Sequence, residues 1–172
     1  MFVLYDDLTM SEPTTLQEEI QQTRPFRSKG QEATLALFRT GDVLRRHLAA
    51  CFAESGITHQ QYNVLRILRG AGADGLPTLS IADRMIEQAP GITRLIDRLV
   101  SKELVIRERA LGDRRRVQCF ISEIGLELLS RLDHPVDQAD ECVMRTLQEE
   151  EKQQLIQILA KIRQGIREVT ES

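Results

Sequence analysis

The stretch from Thr78 to Ser122 constrains this chain most, because three patterned units follow one another there. A short helical pattern runs from Leu79 to Ile86. After a break at Ala89-Pro90, a second opens at Gly91 and continues through Lys102. Two strand-like runs follow, Leu104–Arg109 and Arg116–Ile121, separated by residues 110–115. The second helical pattern is divided by polarity. Ile92, Leu95, Ile96 and Leu99 fall at i, i+3, i+4 and i+7, the spacing of a stripe that a helix buries. Gly91, Thr93, Arg94, Asp97 and Arg98 occupy the opposite face. One face packs, and the other is free to meet a groove.

The strand-like runs complete the outline. Leu104 and Ile106 alternate with Val105 and Arg107, and Val117, Cys119 and Ile121 alternate with Gln118 and Phe120, as half-buried strands do. Gly112-Asp113 is a turn signal between them. Helix, turn, helix and an arginine-tipped hairpin make a winged helix-turn-helix, a mainly α fold with a small β-hairpin wing. The chemistry of that arrangement is DNA reading.

Total charge argues the other way until its distribution is considered. The 172 residues carry a formal net charge of -3. Between Arg84 and Arg116, however, nine Lys or Arg stand against five Asp or Glu, a local +4. An acidic body carrying a basic module fits a phosphate footprint. Hydrophobic residues make up 41% and aromatics only 4%, with no Trp, so the core is expected to be aliphatic. Cys51, Cys119 and Cys142 are scattered and odd in number, which fits neither a disulfide framework nor a zinc site. The first residues lack the basic start and apolar run of a signal peptide. No run approaches the ~18 apolar residues of a membrane span. A cytoplasmic protein without membrane contact is the default expectation.

The remaining chain reads as helices. Thr15 with Glu18 makes a capping box for a short helix through Gln22, within a polar arm over residues 1–28. A long helix is expected over 30–54, closed by Gly56. Thr58 with Gln61 forms a second capping box, and the helix it opens is expected to break at Gly70. Leu76-Pro-Thr78 is too short for more than an edge strand. Thr78 can cap the following helix, which is expected to bury Leu79, Ala82 and Met85 with Ile81 behind. Pro90 suits the first position of the next helix. Beyond a junction at Ser122 and Gly125, Leu126, Leu129, Leu132 and Val136 continue a helix that Pro135 should kink or break. Glu149-Glu-Glu151 favours a helix start, and Leu155, Ile158, Leu159, Ile162 and Ile166 make the last helix amphipathic. The long apolar faces at 30–54, 126–147 and 152–167 are buried most simply against each other and a second copy of the chain. The expected division is an arm at 1–28, a dimerisation region at 29–57 and 123–172, and a DNA-binding domain at 58–122.

Particular residues carry the chemistry. Arg94 and Arg98 are four apart on one helix face, and arginine pairs bidentately with guanine O6 and N7 in the major groove. Arg98 has a competing role as an ion-pair partner of Asp97, Glu103 or Glu108. Thr93 and Gln88 can touch base edges or phosphate. Arg115 suits insertion into a narrow minor groove, with Asp113 orienting it. Arg114 and Arg116 are expected phosphate contacts that fix register. Thr78 and Ser80 are chiefly helix-start residues with a secondary chance of touching phosphate. The spacing of His, Cys, Asp and Glu suggests no metal or cofactor. No nucleophile, base and orienter can be assembled, so an enzyme is not expected.

Over residues 58–125 the sequence resembles the MarR family of bacterial transcriptional regulators. The carrying segments run from Thr58 to Leu68, from Ile92 to Val105 and from Gly112 to Gly125. The family's wing motif, an Asp and an Arg separated by one residue, corresponds to Asp113 and Arg115. The flanking helices extend the resemblance to about residues 30–168. It implies a homodimer with terminal helices at the dimer interface, two lobes straddling a pseudo-palindromic DNA operator, and in many members a small-molecule effector cleft. Two features depart from the pattern. Gln88-Ala-Pro-Gly91 lacks a Ser or Thr cap for the recognition helix. The reactive cysteine of the thiol-sensing branch tends to lie near the start of the first long helix, whereas Cys51 lies near the end. The leading expectation is a repressor relieved by a small-molecule ligand. The alternatives are a thiol-based redox-sensing regulator on the same fold and a winged-helix protein-interaction module.

Overall fold

The structure, a computed structural model, describes residues 14–109 and 117–170. It divides into two compact units, one ending at Arg45 and the other starting at Arg46. In the first, α1 spans Leu16–Glu19 and opens on the expected capping box, with both Thr15 and Glu18 engaged. It ends a turn earlier than Gln22, where Gln21 takes a left-handed φ of 52°. Helix α2 spans Lys29–Cys51 and crosses between the units. The Ser28 hydroxyl accepts the Gln31 amide at its start, and Glu19 of α1 meets Arg39 at 3.4 Å. Phe38 and Val43 of α2 are exposed.

The second unit is ordered around α3, His59–Ala71. Thr58 and Gln61 form the expected reciprocal cap. The helix runs through Gly70 and stops at Gly72, whose φ of +60° only glycine adopts readily. A 3-10 turn over Gly72–Asp74 leads to β1, Leu76–Pro77. Helices α4, Thr78–Arg84, and α5, Ile92–Ser101, follow. Strands β2, Val105–Arg109, and β3, Val117–Ile121, form an antiparallel hairpin to which β1 adds, in the order β1-β3-β2. The chain ends in α6, Glu123–Met144, and α7, Glu149–Thr170. The core is mainly aliphatic, with Leu65, Leu68, Ile81, Ile96, Leu99 and Leu129 fully buried, and it also contains Phe52 and Tyr62.

Several local expectations are corrected. Thr78 is the first residue of α4, not its cap; Pro77 holds the cap position and offers no side-chain hydrogen bond. The Thr78 hydroxyl lies 3.9 Å from the Cys119 sulfur. On α4 the buried residue is Ile81, at 0% exposure, while Leu79 is 76% exposed. Two turns of helix are too short for periodicity to fix which side faces inward, and packing on α3 decides it. Pro90 precedes the cap of α5, which is Gly91 at φ 98°, so the helix begins at Ile92. In β2 the inward side is Val105 and Arg107. Leu104 is buried but precedes the strand, and Ile106 is 46% exposed.

Pro135 neither breaks nor ends α6. A helix-interior proline costs about 3 kcal/mol or more. Leu132, Val136 and Ala139 are buried on both sides of it, and each large aliphatic buried contributes roughly 1.5–3 kcal/mol. Continuing the helix is therefore the cheaper course. Leu126 is 40% exposed, and Leu128 takes a core position in its place. Helix α7 extends past Ile166 to Thr170 and contains no buried residue.

Candidate nucleic-acid interface

Helix α5 is held by its apolar stripe. Ile96 and Leu99 are fully buried, and Ile92 and Leu95 pack partly buried against the same core. Burying this stripe dictates that Gly91, Thr93, Arg94, Asp97 and Arg98 face solvent, and all five are exposed. The polarity division expected from the sequence is present.

The start of α5 is polar and open. Gly91 gives no side-chain cap. The Ile92 amide bonds the Ala89 carbonyl and the Leu95 amide the Gly91 carbonyl. Among the described residues, the amides of Thr93 and Arg94 have no such acceptor. Unsatisfied N–H groups at a helix N-terminus suit phosphate. Gln88 is exposed in the turn just before, and Ser80 is half-buried on α4.

That turn is pinned from beneath. Buried Asn63 of α3 accepts the Ile86 amide through Oδ1 at 3.0 Å. Gln60 reaches Glu87 at 3.4 Å. At the other end, the Lys102 ammonium donates to the Gly56 carbonyl in the loop before α3. The turn leading into α5 and the residue that caps its end are thus tied to residues flanking or belonging to α3.

Arg107 of β2 reaches α5 from the side. One guanidinium nitrogen donates to the Asp97 carboxylate, and another to the Thr93 carbonyl at 3.3 Å. The Asp97 partner is therefore Arg107, and not Arg98 as the sequence alone allowed. Among the described residues, no ion pair engages Arg94 or the guanidinium of Arg98. The structure gathers Gln88, Thr93, Arg94 and Arg98 around one helix. Asp113, Arg114, Arg115 and Arg116 lie outside the described residues.

Sequence reasoning missed Asn63, Lys102 and Arg107. Asn63 sits mid-helix and Lys102 follows α5, and neither has a periodic partner. Asp97 and Arg107 are opposite charges ten residues apart, a separation that no local rule pairs. Only the packing of β2 beside α5 brings them together.

A second polar cluster lies behind the core. Arg69 of α3 grips Asp133 of α6 through two parallel bonds of 2.8 and 3.1 Å. The bond from Arg69 lowers the Asp133 carboxyl below its ordinary range and raises the Arg69 guanidinium. Phe52 packs its ring on Tyr62 at 4.9 Å and on His59 at 5.8 Å. Burial raises the Tyr62 hydroxyl. Cys51 is half-buried with its thiol 4.0 Å from the Pro135 carbonyl, and burial raises its pKa.

Comparison with known proteins decides the family. The MarR family model matches residues 57–117. A MarR transcription factor from Planctomyces limnophilus, known from its crystal structure, is 41% identical, with 79% of this chain and 98% of that one covered and a TM-score of 0.62. This chain belongs to the MarR family. The HTH-type transcriptional regulator FarR of Neisseria gonorrhoeae is 25% identical over 138 residues, 80% of this chain and 93% of FarR. S. aureus MepR, solved as a complex with DNA, shares the fold with a TM-score of 0.69 at 24% identity, over 76% of this chain and 96% of MepR. As a member of this family, this chain is a DNA-binding transcriptional regulator and not an enzyme. No described helix is long and apolar enough to cross a membrane.

Proposed function

We propose that this MarR protein works as a homodimer that occupies a pseudo-palindromic duplex operator, represses transcription there, and is released by a small-molecule effector. The observation that carries the reading is the exposed face of α5. Its arginines Arg94 and Arg98 carry no ion pair among the described residues, its first turn has open amides, and its one carboxylate is neutralised by Arg107. An α-helix with such a face enters a major groove, where Arg94 and Arg98 read guanine edges while Thr93 and Gln88 contact bases or phosphate. On this reading Arg115 enters the minor groove with Asp113 orienting it, while Arg114 and Arg116 contact the phosphate backbone. Residues 58–122 form the DNA-binding module, and residues 29–57 with 123–172 the dimerisation region. A protein with this task works in the bacterial cytoplasm.

The dimer is supported by apolar surface left open in each unit. Phe38 and Val43 on α2 are exposed, and so are Ile156, Ile158, Ile162 and Ile166 on α7. Apolar patches of this kind mark association surfaces. The effector reading follows the linkage principle: a ligand that prefers the lobe spacing unsuited to DNA shifts the population away from the operator-bound form. Thiol sensing gains no support at Cys51, because a raised pKa disfavours the reactive thiolate.

Selection of bound duplexes from a random pool tests the reading. The enriched motif is expected to contain two inverted half-sites about 10 bp apart. Arg94→Ala is expected to weaken binding of that duplex by roughly 1–3 kcal/mol and relax specificity at one position. A pool with no enrichment, or affinity that hardly responds to salt, would favour a protein partner instead.

A further inference from the structure

We propose that Arg107 is a positioning residue of the DNA-reading helix: seated against the Thr93 carbonyl, it occupies the Asp97 carboxylate and so keeps Arg94 and Arg98 available to the nucleic acid. This rests on the reading of α5 as the groove-facing helix. Arg107 lies in the middle of β2, paired across the hairpin with Cys119, which is fully buried in the core. Its guanidinium reaches the Thr93 carbonyl in the first turn of α5 and the Asp97 carboxylate one turn later. The side chain is only 28% exposed, and its Nε is buried without a partner. Placing a guanidinium there has a desolvation cost, so its two contacts do more than decorate a surface.

The consequence concerns charge on the reading face. Arg94 and Asp97 are three residues apart, and such pairs are neighbours on a helix surface. An Asp97 without Arg107 would be free to engage Arg94 or the adjacent Arg98. Either pairing removes one positive charge from the face that meets phosphate. Arg107 therefore acts without touching DNA: it occupies the carboxylate that would otherwise neutralise a reading arginine.

The test uses the full-length protein and the duplex enriched by selection. Four variants are compared: Arg107→Met, Asp97→Asn, the double variant Asp97→Asn/Arg107→Met, and Arg94→Ala. Arg107→Met is expected to weaken binding on the order of tenfold and to flatten the slope of log K against log salt by about one unit, the equivalent of one lost phosphate contact. The double variant is expected to regain most of the affinity and the whole slope, because the uncovered carboxylate is gone. Asp97→Asn alone is expected to bind at least as tightly as the wild type. A purely structural ion pair would lower thermal stability in all three without moving the salt slope, and the double variant would not recover. That outcome overturns the proposal, as does an Arg107→Met protein that binds like the wild type. Should Arg107→Met fail to fold, Asp97→Asn decides alone: tight binding supports the proposal and weakened binding overturns it. Arg94→Ala separates the two readings. If it weakens binding while Arg107→Met does not, only the positioning role fails; if it has no effect, the groove-facing assignment of α5 fails and the positioning role with it.

Discussion

Gly125→Ala sets two effects of opposite sign against each other. In a helix, alanine is favoured over glycine by up to about 1 kcal/mol. At Gly125, however, a Cβ would stand 2.5 Å from the Leu104 carbonyl oxygen and 2.8 Å from Ile121 Cγ1. Neither neighbour can step aside alone. The Leu104 carbonyl accepts the Ser122 amide at 3.1 Å, and Ile121 is paired with Val105 in the hairpin. Reaching ordinary contact would need the start of α6 to withdraw by roughly 1 Å. The Ser122 hydroxyl, which donates to the Glu103 carbonyl at 2.6 Å and accepts the Gly125 amide at 3.0 Å, would be stretched as well. Overpacking costs about 1–3 kcal/mol, and two strained hydrogen bonds add about 1 kcal/mol each. After the helix-propensity gain, the net expectation is a loss of about 2–4 kcal/mol. Urea unfolding followed by far-UV circular dichroism measures it, at fixed protein concentration because self-association shifts the midpoint. Gly70→Ala is the control, since Gly70 lies within α3 and a Cβ added there would meet nothing within 4 Å. It is expected to gain up to about 1 kcal/mol. A Gly125→Ala midpoint at or above the wild type, with unchanged m-value, would refute the close approach of α6 to the hairpin.

Two further outcomes can be stated briefly. The Arg69–Asp133 pair lowers the Asp133 carboxyl, so its contribution is fully present above the unfolded value of about 3.9 and is lost as pH falls through the lower folded value. Because the partners are 35% and 40% exposed, solvent screening limits the effect to about 0.5–1 kcal/mol, and the stability gap between wild type and Asp133→Asn should close below about pH 4 in parallel urea titrations. Ile162→Glu places a charge on the exposed apolar face of α7, and light scattering after gel filtration should report a shift from dimer to monomer if that face is the dimer contact.

Features of short range were legible in the sequence. Both capping boxes follow from side chains three residues apart, and both are formed. The stripe of α5 is legible because ten residues give nearly three turns of consistent phase. Seven residues of α4 do not, which is why Leu79 and Ile81 exchange places relative to expectation. In β2 the strand begins one residue after Leu104, so alternation counted from Leu104 includes a residue buried for another reason. Pro135 follows the same logic at larger scale: its local cost is visible in the sequence, but the burial that outweighs it is not. The exposed position of Arg94 and Arg98 on α5 was legible, whereas the residues that hold their helix were not. Arg107, Asn63 and Lys102 act across 10, 23 and 46 residues of chain, and those separations acquire meaning only after folding.

The small sheet has two outer strands, and an open strand edge is a template on which further chains can add. At one edge β1 has only two residues, and one of them, Pro77, has no N–H to donate. At the other, three of the five residues of β2 are charged: Arg107, Glu108 and Arg109. Growth from either edge into a fibre is therefore discouraged by backbone chemistry on one side and by charge on the other. A chain that leaves isoleucines exposed along α7 can associate helix against helix while its sheet resists aggregation.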